Sequence, residues 1–109
     1  MLQQVKGDHN LDDKGNPAGG YTHGLGIEIK WQNGPLGRGT ERIAPNGAFV
    51  EGVIAAAIDR IEHYQTASEG RFKCRENALA ITKLEEALMW LNKRTMDREA
   101  RAVEGTHQK

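Results

Sequence analysis

The sequence predicts an α+β protein: a small N-terminal antiparallel β-hairpin packed on a long antiparallel two-helix hairpin, completed as a homo-oligomer. Three observations carry this. Eleven of the 13 glycines fall in residues 1–52, so the chain changes character near its middle. The stretch from Gly26 to Gln32 alternates apolar and polar residues, the two-residue period of a half-buried strand. From Asn46 onward the apolar residues recur every three or four positions, the period of a helix that buries one face.

Residues 1–23 read as a flexible or intersubunit arm. They hold turn formers (Asp12, Asp13, Gly15, Asn16, Pro17, Gly19 and Gly20) and offer little apolar surface against the entropy of ordering. Residues 24–109 then form a single domain, with a β-hairpin over 24–44 and a helical hairpin over 46–104. In the first strand Ile27, Ile29 and Trp31 share a face, and Asn33-Gly34-Pro35 turns the chain. Residues Arg38 to Ile43 are expected to return antiparallel. A lone two-stranded hairpin is unstable in water, so its apolar face needs cover.

Asn46 is the expected N-cap of the first helix, whose stripe is Val50, Ile54, Ala57, Ile58 and Ile61, ending near Gln65. The second helix begins around Lys73 to Glu76 and runs to about Ala102, with Ile81, Leu84, Leu88, Leu91 and Thr95 in line. About 28 helical residues span roughly 40 Å, more than a domain this small requires. The short link from Thr66 to Phe72 makes the two helices antiparallel neighbours. Leu79, Met89 and Trp90 lie off the main stripe. Apolar residues on two faces imply burial on two sides, which a second copy of the chain would supply.

Composition excludes several classes. At 109 residues and 12.1 kDa the chain is too short for a Rossmann fold, a kinase or a barrel enzyme. Fifteen basic and 15 acidic residues give a net charge of zero, which argues against a partner that is a nucleic-acid polymer. No apolar run approaches the roughly 20 residues of a membrane helix, and the first 13 residues lack the apolar core of a secretory signal. One cysteine, Cys74, leaves no intrachain disulfide and fits a reducing compartment. The four histidines are dispersed, so neither a metal site nor a cofactor is expected. Glu85-Glu86 are adjacent on a helix and do not face each other, so no catalytic carboxylate pair is present there. The glycine-rich run Gly34 to Gly39 lacks the Lys-Ser/Thr of a phosphate loop. The residues indicate no enzyme machinery.

The most informative group is Arg94, Arg98 and Arg101. Their spacing points all three to one side of a helix, where guanidinium groups offer paired donors to phosphate oxygens. Ala80, Ala87 and Leu91 continue that edge and leave space for a small anion. A plainer reading stays open: cations near a helix C-terminus complement its dipole, and Asp97 and Glu99 are close enough to pair with them. Among the few aromatics, Trp31 at a strand end and Phe72 at the tip of the helical hairpin are placed either to stack a purine ring or to pack locally, while Phe49 and Trp90 read as core.

The run Gly70-Arg71-Phe72-Lys73-Cys74-Arg75-Glu76-Asn77-Ala78-Leu79-Ala80-Ile81-Thr82-Lys83-Leu84-Glu85-Glu86-Ala87-Leu88-Met89-Trp90-Leu91 resembles the helical-hairpin domain of phage anti-defence sponge proteins. So does Lys93 to His107, where Ala102 stands for the first glycine of the family's usual Gly-Val-Glu-Gly-Thr ending. Two groups share that hairpin, the Thoeris anti-defence one family and the anti-CBASS two family. The strand and turn Ile29 to Pro35 look like the first group. The resemblance implies sequestration without catalysis: binding of cyclic ADP-ribose isomers, and in some members of cyclic di- or trinucleotides at separate sites, by a dimer or hexamer in the host bacterial cytoplasm. It implies Asn77, Arg94 and Arg98 for the cyclic ADP-ribose pocket, Phe72 and Trp31 for base stacking, and Arg42 for a trinucleotide site, with Arg101 extending the arginine edge.

Overall fold

A computed structural model describes residues 4–101 and 106–107. Three antiparallel strands, β1 (Val5–Leu11), β2 (Pro17–Gly24) and β3 (Ile27–Trp31), form one sheet in the order β1-β2-β3. Two long helices follow, α1 (Val50–Gly70) and α2 (Arg75–Ala100). The architecture is α+β, as expected, with a larger sheet. By contact density the chain divides into two compact units. One holds the three strands, the segment up to Phe49 and the residues from Arg98 onward; the other is Val50–Asp97.

The sheet departs from the expected hairpin at both ends. Residues expected as an arm supply β1 and β2, paired from Val5 with Gly24 to His9 with Gly20, with a register shift before Leu11. These strands rest on main-chain pairing rather than on apolar alternation. Gly20 is buried between its neighbours, and a Cβ there would strike the Asp8 carbonyl oxygen at 2.3 Å and the His9 Cα at 2.9 Å. Its φ of 133° is also one that side-chain-bearing residues rarely adopt. The turn from β1 to β2 is an Asx turn: Asp12 Oδ1 accepts hydrogen bonds from the backbone N–H groups of Lys14 and Asn16, both at 2.9 Å.

The expected return strand over Arg38 to Ile43 is not formed. Gly37 and Gly39 take positive φ, residues Gly39–Glu41 make one 3₁₀ turn, and the Ile43 N–H closes the loop on the Leu36 carbonyl at 2.7 Å. The outer edge of β3 is met by residues around Ala48, in a parallel bridge between Trp31 and Ala48. The Ala48 N–H donates to the Lys30 carbonyl and the Gln32 N–H to the Ala48 carbonyl.

Asn46 does not cap α1, which starts four residues later at Val50. Its side chain is committed elsewhere: Oδ1 accepts from the Asn33 N–H at 2.8 Å and Nδ2 donates to the Asn33 carbonyl at 3.1 Å. Its own N–H donates to Gln32 Oε1. Gly47 beside it has no room for a side chain, since a Cβ would lie 2.5 Å from the Trp31 carbonyl group.

In the helical unit α1 is regular to Thr66 and then breaks, with Ala67 extended and Ser68 and Glu69 left-handed. Val53, Ile54, Ile58, Ile61 and Gln65 are half-buried, whereas Val50 and Ala57 of the expected stripe are exposed. On α2 the half-buried line is Asn77, Ala80, Ile81, Leu84, Leu88, Leu91 and Thr95, the expected stripe extended by one turn. Gln65 fastens the reversal. Its Oε1 accepts the Cys74 N–H at 3.0 Å, and its Nε2 donates to the Cys74 carbonyl at 3.1 Å. Cys74 also accepts from the Ala78 N–H, so it stands at the N-cap of α2. Regular helix is described to Ala100; the expected extension to about residue 104 lies outside the described residues.

Among the described residues no apolar side chain is buried. Leu79, Met89, Trp90 and Met96 of α2 are exposed, Trp90 by 71%. No helix among the described residues is long and apolar enough to cross a membrane.

Candidate functional site

The candidate residues fall at the two ends of α2 and on the sheet unit. At the hairpin turn Phe72 is 56% exposed, and the Arg71 guanidinium lies 5.2 Å from its ring centroid. A cation therefore rests against the ring, which stays more than half exposed. Asn77 lies in the first turns of α2 and is half-buried. Its position is set by the Gln65 bonds to Cys74, three residues before it. Gln65 itself carries no advance signal, because nothing in the spacing links it to Cys74.

At the other end, Arg94 and Arg98 lie one turn apart on α2. Arg94 is exposed, and no ion pair among the described residues holds it. Arg98 is half-buried; its Nη2 donates to the Thr106 carbonyl oxygen at 2.7 Å. Arg98 thus holds Thr106 to the helix, a task the spacing did not reveal. Arg101 is exposed in the turn that follows. Asp97, one of the acids close enough to neutralise this edge, accepts a salt bridge from Lys93 at 2.9 Å.

On the sheet unit, Trp31 is half-buried and its indole N–H donates to Thr22 Oγ1 at 2.7 Å. The indole is fixed by strand pairing, since Thr22 faces Ile29 and Gly20 faces Trp31. Arg42 is exposed just after the 3₁₀ turn. Neither residue is on the helix that carries Asn77 and Arg94.

Along α2 the rise of about 1.5 Å per residue separates Asn77 from Arg94 by about 26 Å. One chain does not bring the two expected pocket residues together. The helical unit also has a depression of about 460 Å³ lined by Asp59, Glu62, His63, Gln65 and Thr66. Its carboxylates make it a poor host for a pyrophosphate. Among the described residues, no group of His, Cys, Asp and Glu side chains is placed to hold a metal ion.

A family model described as the Acb2/Tad1 hairpin domain matches residues 24–96. The matched span takes in β3, α1, most of α2, and Trp31, Arg42, Phe72, Asn77 and Arg94; Arg98 and Arg101 lie beyond it. Over 81 residues the chain is 58% identical to Thoeris anti-defense 1 of Bacillus phage SBSphiJ7. That similarity covers 74% of this chain and 52% of the phage protein, so the chain spans about half the length of the curated relative it matches. With two thirds of its residues inside the hairpin model and this identity to a phage relative, the chain belongs to the Thoeris anti-defence family that carries the Acb2/Tad1 hairpin domain.

Proposed function

We propose that this chain is a phage anti-defence protein that binds cyclic ADP-ribose isomers in the host cytoplasm and holds them, undegraded, away from the Thoeris effector. The observation that carries the reading is the arginine edge at the end of α2, with Arg94 exposed, on a hairpin whose relative is named Thoeris anti-defense 1. A pyrophosphate brings about two negative charges, which two guanidinium groups match by paired, charge-assisted hydrogen bonds. An adenine stacked on the exposed Phe72 ring would add about 1–3 kcal/mol.

A single chain splits these elements between two ends of one helix. The pocket therefore forms between copies, with the turn of one chain beside the α2 end of another. The exposed Leu79, Met89, Trp90 and Met96 support such an assembly, because a working protein seldom leaves so many large apolar side chains of one helix in water. To silence signalling, the protein must outbind the effector; a Kd near 10 nM corresponds to about 11 kcal/mol.

A second reading, sequestration of cyclic di- or trinucleotides, is favoured by the name of the matching domain, which joins two groups. Calorimetric titration with cyclic ADP-ribose isomers and with cyclic di- and trinucleotides separates the two. Saturable binding of the first class supports the main reading. Binding of the second class alone replaces it. Binding of neither overturns both.

A further inference from the structure

Strand β1 is an edge of the sheet, and all seven of its residues are exposed. Among the described residues no other strand lies on its outer side, whereas the opposite edge, at β3, is met by the Ala48 segment. An unprotected edge is a row of main-chain donors and acceptors that pairs with another strand unless something blunts it. β1 has no proline, and its irregularity is confined to the far end, between His9 and Leu11. Its first five residues, Val5-Lys6-Gly7-Asp8-His9, are in regular register with β2.

That stretch is self-complementary. Two copies laid antiparallel about Gly7 would place Lys6 opposite the partner's Asp8, Asp8 opposite the partner's Lys6, and Gly7 opposite itself. Val5 would face the partner's His9. Centring the pair on Lys6 or on Asp8 instead sets like charges face to face, which is unfavourable. We propose that β1 is a docking edge for a second copy of this chain, paired antiparallel about Gly7 with reciprocal Lys6–Asp8 contacts, so that two sheets join into one of six strands. A two-fold of this kind closes on itself and uses each edge once. The proposal deepens the assembly part of the reading above, since it names a surface, and it makes no demand on which ligand is bound.

The test is register-specific cross-linking in the full chain with Cys74→Ser as background. A Lys6→Cys copy is co-expressed with an Asp8→Cys copy and oxidised. Directly opposite positions lie within disulfide reach, whereas Lys6 and the partner's Lys6 sit on a diagonal too long for it. The mixed disulfide is expected in large excess over either self-linked product. Equal yields, or no mixed product, overturn the proposal. A charge swap supplies a second readout by analytical ultracentrifugation. Asp8→Lys alone is expected to weaken β1-mediated association by about tenfold, and Lys6→Asp with Asp8→Lys to restore it. Failure of the double variant to recover also counts against the proposal. Ligand titration of the same variants is read separately: a cross-linked protein that binds no nucleotide leaves the edge in place and removes the function, and the converse removes the edge alone.

Discussion

Asn77 and Arg94 stand seventeen residues apart on α2, about 26 Å along its axis, so no ligand the size of a cyclic dinucleotide touches both within one chain. If both serve one pocket, that pocket has two owners. Asn77→Ala and Arg94→Ala chains are each expected to lose uptake alone. When the two are mixed and reassociated, random pairing in a two-chain assembly regenerates about a quarter of the intact pockets. Calorimetric stoichiometry measures the recovery, and none at all contradicts a shared pocket.

Arg94 is the cleaner probe of the arginine edge, because Arg98 also holds the Thr106 carbonyl. Arg94→Ala is expected to weaken ligand binding at least about 30-fold, roughly 2 kcal/mol, with the thermal midpoint of the free protein unchanged. Arg98→Ala is expected to lose binding and also to release Thr106, seen as faster amide exchange at that residue. An Arg94→Ala variant with full affinity would remove this edge from the site.

Gln65 spans nine residues to hold both backbone groups of Cys74. Gln65→Ala leaves them without that partner and is expected to cost about 1–3 kcal/mol, measured by urea denaturation. Gly47→Ala sets a methyl group against the Trp31 carbonyl and is expected to cost a similar amount, about 1–3 kcal/mol. The loss should be local, with the amides of Gln32 and Ala48 exchanging faster.

The backbone N–H of Asn16, and after it that of Lys14, holds the Asp12 carboxylate below the ordinary aspartate range. A depressed carboxylate contributes to folding above its unfolded pKa, and that contribution fades as pH falls through the lower, folded value. The β1–β2 turn should therefore persist through mild acid and loosen only below the range where a free aspartate titrates. An NMR titration of the Asp12 side chain checks this, and a midpoint at or above the ordinary value contradicts it.

The helical half was legible because its order is local. A three- and four-residue period specifies the stripe of α2 from Ile81 to Thr95, and the same period sets Arg94 and Arg98 one turn apart. The sheet was half legible. β3 announces itself by alternation, but Val5–Leu11 and Pro17–Gly24 have none, since their pairing relies on glycine allowing close backbone approach at Gly20. Asn46 looked like a helix cap because capping and loop clamping use the same side chain; only its distant partners, Gln32 and Asn33, decide between them. Asn77 and Arg94 could be proposed one by one. Their division between two ends of α2 follows from simple rise per residue, whereas the copy that would join them leaves no trace in one chain's spacing.

Capture without chemistry has a direct test. The protein is mixed with a cyclic ADP-ribose isomer, filtered free of unbound ligand, denatured by heat, and the released small molecule is chromatographed. The isomer is expected to be retained and then recovered intact in stoichiometric amount. Release of an altered molecule, or no retention at all, contradicts it.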